Sequence, residues 1–428
     1  MTAPQPPCGT PTVSHARRPA AVRNGMLSAM PPSTWDAVAA AAVAALVVVC
    51  LTPLAVRVAL RIGAVDEPRA RGLSDHPMPR LGGIAIFGGV LAGAILFLPL
   101  DGVFGAVLLG AAVITVVGVL DDIFELSAPV KLLGQTAAAL IPVLEGVRVQ
   151  DFTLPFVHRV ELGDLGIPLT VAGIVLIMNV VNFSDGIDGL AAGVCAIAAA
   201  AFVVIAFDLE RANAAVLAAI IAGAALGFLV HNFHPATVFM GDCGSNLLGL
   251  LLACVAVEGT VKTQAVLALV LPLIVLAVPF LDTTFVVLKR LKYRRPVYQA
   301  DREHFHHRMD RIGFSTRRTV LYLYMWTLML AGLALALRFV PYSDNGGRLH
   351  AGWTAVMVGL GLAAAVASVY LVYVLEILKF KRLNTMRLRR LRPDTSEDEI
   401  DSDVAARLET GEFDAVRRET EEFERLRI

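Results

Sequence analysis

Residues 171–191, VAGIVLIMNVVNFSDGIDGLA, join an unbroken apolar run to a segment rich in Asn, Asp and Gly. The apolar half suits the interior of a lipid bilayer, where ionisable side chains are costly and rare. The polar half therefore marks the point at which a membrane span ends. The stretch predicts a helix that reaches the membrane surface and presents polar groups there.

The composition of the whole chain is that of a polytopic integral membrane protein. Of its 428 residues, 56% are hydrophobic and 17% are charged, and the mean hydropathy is +0.67, far from the values of a soluble domain. The fold class we predict is all-α, with about eleven transmembrane helices. Runs long enough to cross about 30 Å of hydrocarbon lie at residues 36–60, 82–100, 103–120, 129–146, 168–183, 189–207, 214–231, 243–258, 264–288, 319–340 and 352–378.

The distribution of Lys and Arg predicts the orientation in the plasma membrane, because basic loops favour the cytosolic side. Residues 289–318 carry ten basic residues, and the tail after the last run begins KFKRLNTMRLRRLR. We therefore place the amino terminus outside and the carboxyl terminus inside. In chain order, the predicted inner loops are residues 61–81, 121–131, 182–189, 231–243 and 289–318. The predicted parts are a disordered tail at 1–34, a membrane domain at 35–378 and a charged cytosolic tail at 379–428.

One outer segment differs from the spans. Apolar residues alternate with polar ones at the start of residues 147–167, a pattern typical of a β-strand. We predict a short extracytoplasmic β-hairpin there.

Four polar segments fall on predicted inner loops and so share the cytosolic face: GVLDDIFELSAPVKLLGQ, NVVNFSDGIDGLA, HNFHPATVFMGDCGSN and DREHFHHRMDRIG. Taken singly, each has a structural explanation as a helix cap, a loop cluster or a group of solvated histidines. Together they predict a site in a cytosol-facing cleft. The middles of the spans are aliphatic, which argues against a secondary transporter.

The residue types in these segments indicate the chemistry. Carboxylate and amide oxygens suit Mg²⁺ or Mn²⁺ better than zinc. Lys131, Arg302 and the nearby histidines supply positive charge for phosphate oxygens. A divalent cation, basic groups and a position at the membrane predict phosphoryl transfer that involves a lipid.

The ordered motifs DD, NxxNFSDGIDGLA, FMGDxGS and DREHFHH resemble those of the polyprenyl-phosphate N-acetylhexosamine-1-phosphate transferases, over about residues 40–375. The resemblance implies transfer of a sugar 1-phosphate from a UDP-N-acetylhexosamine to a polyprenyl phosphate, with release of UMP and dependence on Mg²⁺. It implies no nucleic-acid partner, and it leaves a homodimer open. A lipid-linked sugar transporter and an inactive scaffold are the alternatives from other classes.

Site residues are carried over from the resemblance by matching motifs. The catalytic residues are then Asp121, Asp122, Asp185, Asp188, His304, His306 and His307. The substrate-binding residues are Asn179, Asn182, Asn232, Phe239, Lys131, Arg302 and Arg80. The magnesium ligands are Asp242 and Asp188. Within this set, Phe239 is expected to stack on uracil and Asp121 to orient the lipid phosphate.

The details of the motifs favour one branch of the family. HFHHRMD and PRLGG look more like the N-acetylglucosamine 1-phosphate branch than like the muramoyl-pentapeptide branch, which keeps UDP-MurNAc-pentapeptide as the alternative substrate. One departure stands in the first inner loop, where Gly72 and Ser74 occupy positions that the branch gives to Lys and His.

Overall fold

A computed structural model describes residues 32–66, 78–154, 158–261, 276–277, 280–281, 315–340 and 350–368. Nearly all of this part of the chain is helical. In chain order the helices are α1 Thr34–Ile62, α2 Gly82–Phe97, α3 Val103–Phe124, α4 Ala128–Leu144, α5 Gly166–Ser184, α6 Leu190–Asp208, α7 Ala212–Asn232, α8 Gly241–Ala256, α9 Thr316–Phe339 and α10 Ala351–Ser368. A 3₁₀ turn, Gly163–Leu165, precedes α5, and a π-helical turn, Val257–Val261, follows α8.

These helices confirm a polytopic membrane protein. Within the described residues, eight helices are long and apolar enough to cross a membrane, and α2 and α4 are shorter apolar helices. Ten of the predicted spans overlap these helices. The span predicted at 264–288 and both predicted tails lie almost wholly outside the described residues. The total of eleven spans therefore stays a prediction.

Two short antiparallel strand pairs connect helices. β1 (Val65–Asp66) pairs with β2 (Met78–Pro79), which brings together the two ends of the first predicted inner loop. β3 (Asp151–Leu154) pairs with β4 (His158–Glu161) inside the segment predicted as a hairpin. The side of the membrane on which this second pair lies stays a prediction.

Local signals define both ends of α1. The Ser33 hydroxyl accepts a hydrogen bond from the Asp36 N–H, and the Asp36 carboxylate accepts one from the Ser33 N–H, so the two residues form a capping box. At the other end Gly63 adopts the left-handed conformation (φ 77°) that commonly terminates helices. The apolar sequence between these caps runs as one continuous helix.

Three helices form the centre of the bundle and the others surround them. In α6, α7 and α8 between 72% and 83% of the apolar window is buried, whereas in the other five candidate spans the buried share is 39% or less. Large apolar side chains such as Leu46, Leu133 and Met325 are accordingly exposed. An exposed apolar surface of this extent suits contact with lipid rather than with water.

Small residues allow α1 and α7 to approach closely. A Cβ atom added to Gly223 would lie 2.1 Å from the Ala41 carbonyl oxygen. One added to Gly227 would lie 2.4 Å from the Ala45 carbonyl oxygen. Small residues four positions apart on both helices thus bring the two backbones into contact, as they do in many membrane helix pairs.

The amino end of α8 packs equally tightly against α2 and α3. A Cβ atom added to Gly83 of α2 would lie 2.2 Å from the Gly244 nitrogen. One added to Gly118 of α3 would lie 2.3 Å from the Cys243 Cα atom. These contacts fix where α8 begins, and Asp242 is the second residue of that helix.

We expect Gly118→Ala to lower the melting temperature in detergent, since the added methyl group must displace α8 at a cost of about 1–3 kcal/mol. Gly173→Ala is the matched control, because Gly173 lies within α5 and a Cβ atom there meets nothing within 4 Å. Thermal unfolding followed by tryptophan fluorescence measures both variants. An equal melting temperature for the two variants would contradict the proposed packing.

Candidate active site

The polar segments meet at one end of the helix bundle. Hydrogen bonds connect the carboxyl ends of α3, α5 and α7 with the amino ends of α8, α4 and α6, respectively. This arrangement confirms that the second, third and fourth predicted inner loops share one face. The fourth polar segment, with Arg302, His304, His306 and His307, lies outside the described residues.

The segment before α8 is held by the segment before α2. The Phe239 N–H donates to the Pro79 carbonyl oxygen at 2.8 Å. The Gly82 N–H then donates to the Phe239 carbonyl oxygen at 3.1 Å, and the Gly83 N–H donates to the Met240 carbonyl oxygen at 2.9 Å. A Cβ atom on Gly82 would lie 2.7 Å from that Phe239 oxygen. Backbone hydrogen bonds from the PRLGG motif therefore hold the FMGD motif in place, and we call these three hydrogen bonds the backbone clasp.

The Asp122 carboxylate caps the amino end of α8. One oxygen accepts a hydrogen bond from the Asp242 N–H (2.8 Å), and the other accepts one from the Cys243 N–H (3.1 Å). These first-turn N–H groups have no acceptor within their own helix, and the helix dipole favours an anion beside them. Asp122 thus holds the main chain beside Asp242, and its predicted catalytic role stays a prediction.

The Lys131 ammonium group lies between Asp121 and Asp242. Its Nζ atom is 2.9 Å from Asp121 Oδ2 and 2.8 Å from Asp242 Oδ2. It also donates to the Asn182 amide oxygen at 3.4 Å. The Asn182 amide nitrogen donates to the other Asp242 oxygen and, at 2.8 Å, to the Ser245 hydroxyl. Asp242 is therefore fixed from two sides by residues of α4 and α5.

Asp121 is held less completely than Asp122. Its Oδ1 accepts a hydrogen bond from the Leu126 N–H at 2.8 Å, in the turn that ends α3. Its Oδ2 is buried and accepts no hydrogen bond of good geometry, although it forms the ion pair with Lys131.

Asp185 lies where negative charge is in excess at this end of the bundle. It follows α5 directly, and its pKa is raised to about 7, first by burial and then by the negative charges of Asp242, Asp122 and Asp188. Lys131 offsets part of this charge. The remaining negative potential favours binding of a further cation.

Asp188 contacts His234 and the Ala236 N–H group. Its Oδ2 lies 2.7 Å from His234 Nδ1 and accepts a hydrogen bond from the Ala236 N–H at 3.1 Å. The carboxylate thus ties the third predicted inner loop to the fourth. The predicted catalytic and metal-binding roles of Asp188 stay predictions.

Asn232 also joins the two loops. Its amide oxygen accepts from the Gly189 N–H (3.0 Å), and its amide nitrogen donates to the Val238 carbonyl oxygen (2.9 Å). The side chain is only 3% exposed. Asn232 therefore connects the two loops, and its predicted contact with the nucleotide stays a prediction.

Deeper in the bundle, amide side chains connect three helices. The Asn179 amide nitrogen of α5 donates to the Gln135 side-chain oxygen of α4 (2.8 Å), and the Gln135 amide nitrogen donates to the Asn246 side-chain oxygen of α8 (2.7 Å). Gln135 and Asn246 are almost fully buried. Asn179 thus supports the site from within the bundle, and its predicted contact with a substrate stays a prediction.

Arg80 and Phe239 stand at the edge of the site. The Arg80 guanidinium forms an ion pair with Asp66, so it closes the base of the first predicted inner loop. Phe239 is half-buried, in the segment that the clasp holds. Gly72 and Ser74, the positions of the predicted departure, lie outside the described residues.

Several residues that the motifs do not indicate also lie at the site. They are Gln135, Ser245, Asn246, His234 and Tyr324. Gln135 and Asn246 had a usable signal, since each is an amide within an apolar helix, where a polar side chain needs a partner. Tyr324 had none, because tyrosine is common in membrane helices.

The residues present fit a magnesium ion. Among the described residues no three side chains of His, Cys, Asp or Glu stand close enough to form a complete metal site. Mg²⁺ is typically bound by one or two carboxylates together with substrate phosphates and water. Asp242 and Asp121, whose oxygens face the Lys131 cation, provide such a pair.

Comparisons with known proteins agree in one family. The model of the family described as "Glycosyl transferase family 4" matches residues 104–260. A Bacillus subtilis protein named "Probable undecaprenyl-phosphate N-acetylglucosaminyl 1-phosphate transferase" is 39% identical over 69% of this chain and 83% of its own length. The decaprenyl-phosphate N-acetylglucosaminephosphotransferase of Mycobacterium leprae is 36% identical over 76% and 88%. A phospho-N-acetylmuramoyl-pentapeptide-transferase of Desulforudis audaxviator is 33% identical over 69% and 96%.

We expect Asp122→Asn to lower the melting temperature more than Asp121→Asn does. The asparagine at position 122 keeps one acceptor for two N–H groups and loses its charge, which costs about 1.5–3 kcal/mol for a charged hydrogen bond. Asparagine at position 121 keeps the acceptor for Leu126. Thermal unfolding without metal compares the two, and an equal loss would contradict the capping role of Asp122.

The raised pKa of Asp185 predicts a pH dependence of stability. Its usual value of 3.8 rises to about 7 in the folded protein, so Asp185 favours folding most below pH 4. That contribution is lost as the pH rises through 7. In a metal chelator, the melting temperature should fall between pH 5.5 and pH 7.5, and Asp185→Asn should reduce the fall. An identical pH dependence in the variant would contradict the assignment.

Proposed function

The chain belongs to glycosyl transferase family 4, and we propose that it transfers N-acetylglucosamine 1-phosphate from UDP-N-acetylglucosamine to a polyprenyl phosphate. The products are UMP and polyprenyl-diphospho-N-acetylglucosamine. Such a product would start the synthesis of a cell-wall or surface polysaccharide at the membrane. The similarity to relatives named for this reaction supports the proposal.

The observation that carries the proposal is the position of Lys131 between Asp121 and Asp242. Two acidic residues and one basic residue meet where apolar helices end. A phosphate that is attached to a lipid could reach this place without leaving the membrane. Phosphoryl transfer requires chiefly that two anions be positioned and their charge neutralised, and this cluster supplies groups for both tasks.

We assign the following roles. Asp242 and Asp121 would hold Mg²⁺, which would supply positive charge to the pyrophosphate of the sugar nucleotide. Lys131 is within reach of the same oxygens and supplies a further countercharge. Asp121 also orients the lipid phosphate, as the family motif implies. Phe239 stacks on the uracil ring.

The histidine segment would complete the site. Arg302, His304, His306 and His307 are expected to contact the pyrophosphate, as their motif implies. In the reaction an oxygen of the polyprenyl phosphate attacks the β-phosphorus of the UDP-sugar. The bond from that phosphorus to the bridging oxygen breaks, and UMP leaves. We favour this direct attack over a phosphosugar-enzyme intermediate.

The choice of sugar rests on similarity. The two relatives named for N-acetylglucosamine 1-phosphate transfer are 39% and 36% identical to the chain, and the muramoyl-pentapeptide relative is 33% identical. This order agrees with the PRLGG and HFHH motifs. UDP-N-acetylglucosamine is therefore the proposed donor.

The proposed location is the plasma membrane, with the site on the cytosolic face. Basic residues at 289–318 and after residue 378 support this orientation. UDP-sugars are cytosolic metabolites, so a donor site on that face is also the chemically reasonable one. The carboxyl terminus would then be cytosolic.

The experiment that tests the proposal is UMP release by the purified protein in detergent. UDP-N-acetylglucosamine, UDP-N-acetylgalactosamine and UDP-MurNAc-pentapeptide are each supplied with or without polyprenyl phosphate and with or without Mg²⁺. We expect release when UDP-N-acetylglucosamine, lipid and Mg²⁺ are present together. Release with another sugar would keep the chemistry and change the donor, whereas no release under any combination would refute the proposal.

We expect Asp242→Asn to reduce kcat by about 100-fold or more, since it removes charge that positions the cation at the reacting phosphates. The variant should also lose the rise in melting temperature that Mg²⁺ gives the unaltered protein. Asp208→Asn is the control, because Asp208 lies at the other end of α6, where it pairs with Arg338. A normal response of Asp242→Asn to Mg²⁺ would contradict the metal assignment.

A further inference from the structure

Helix α9 packs against both loops that carry Asp188 and Asn232. Its residues Val320 and Leu323 belong to a buried apolar cluster that includes Leu190 at the start of α6. Ile187 and Phe233, one from each loop, pack against the same cluster. Helix α9 therefore supports the two loops that carry Asp188 and Asn232, although it contains none of the predicted site residues.

Tyr324 of α9 contacts the backbone at the start of α6. Its hydroxyl donates a hydrogen bond to the Gly189 carbonyl oxygen. Its ring lies directly over Gly193, where an added Cβ atom would be 2.0 Å from the hydroxyl oxygen. Gly189 adopts the left-handed conformation (φ 79°), and its N–H donates to Asn232. Both polar groups of Gly189 are therefore fixed from outside its own segment.

A second contact from α9 reaches Asp188, through His234. Arg317, in the first turn of α9, donates from Nε to the His234 carbonyl oxygen at 3.2 Å. The His234 ring in turn contacts the Asp188 carboxylate at 2.7 Å. Asp188 and Gly189 are thus held from α9 by two routes, one through His234 and one through Tyr324.

These routes lead toward one part of the site. Asn232, which receives the Gly189 N–H, donates to the carbonyl oxygen of Val238, and Val238 immediately precedes Phe239. The chain of contacts therefore runs from Tyr324 to the peptide group that joins Val238 to Phe239, the residue proposed to stack on uracil. It does not include Lys131, Asp121 or Asp242, whose contacts come from α3, α4 and α5.

We propose that Tyr324 and Arg317 are positioning residues for nucleotide binding: α9 sets the conformation of the Asp188–Gly189 turn and, through Asn232, the place of Phe239. This inference rests on the proposed function, since it assumes that the nucleotide lies between these two loops. It adds two residues from outside the motifs to the substrate site. It also separates the site into a nucleotide side, held by α9, and a metal side, held by α3, α4 and α5.

The first test compares Tyr324→Phe with Thr327→Val in the full-length protein. Tyr324→Phe removes only the hydroxyl group that Gly189 accepts from. Thr327→Val removes a buried hydroxyl group of the same helix, whose bond is to the Leu323 carbonyl oxygen of α9 itself. The loss of one hydrogen bond corresponds to roughly a three- to tenfold change in affinity. We expect the dissociation constant for UDP and the KM for the sugar nucleotide to rise by that factor in Tyr324→Phe alone.

The second test compares Arg317→Ala with Arg318→Ala, which remove the same charge from adjacent exposed positions. Arg317→Ala should weaken UDP binding, and Arg318→Ala should not. In both tests the KM for polyprenyl phosphate and the concentration of Mg²⁺ needed for half-maximal activity should stay unchanged. This split separates a positioning role from a general loss of stability, which would affect all substrates alike.

Hydrogen exchange separates this inference from the proposed function. Amide exchange in the peptide that spans residues 185–195 should become faster in Tyr324→Phe than in Thr327→Val, whatever the protein binds. If the unaltered protein fails to bind UDP, the proposed function is wrong. If the unaltered protein binds UDP and Tyr324→Phe binds it equally well, with unchanged exchange, the positioning role is wrong.

Discussion

The amino end of α8 is the constraint on which the rest of the site depends. A helix that starts against other helices leaves N–H groups that need acceptors. Asp122 provides the acceptors from α3, and the backbone clasp of PRLGG fixes the segment that enters the helix. Because both contacts act next to Asp242, the same interactions that complete the helix also aim its carboxylate. Glycine at the contact points is what allows the backbones to come so close.

The polar groups below this point extend the same arrangement into the bundle. Gln135 and Asn246 are almost fully buried, and Asn179 connects to Gln135 from the neighbouring helix. A buried amide without partners would be costly, so the network restrains the rotation of α4, α5 and α8 about their axes. That restraint keeps Lys131 and Asn182 directed at Asp242. The bundle thus contains, from its middle to its surface, packed small residues, then paired amides, and then the charged cluster.

The sequence predicts much of this fold because membrane spans have a strong local signal. The apolar runs, the polar segments at their ends and the family motifs are all readable from residue order, and ten predicted spans overlap helices. The sequence does not show which contacts each polar residue makes. Asp121 and Asp122 are adjacent and chemically alike, but one faces Lys131 and the other caps α8. Asn232 accepts a hydrogen bond from the Gly189 N–H, and Tyr324 donates one to the Gly189 carbonyl oxygen. No local sequence pattern predicts such contacts between distant segments.

The central claim is that a sugar phosphate, and not the sugar alone, moves from the nucleotide to the lipid at this cluster. The most direct measurement uses UDP-N-acetylglucosamine labelled with ³²P in the β-phosphate, incubated with the protein, polyprenyl phosphate and Mg²⁺. The account predicts that the label enters the organic-solvent fraction together with the sugar, while unlabelled UMP stays in water. Label that remains in water as UDP while the sugar enters the lipid fraction would contradict it.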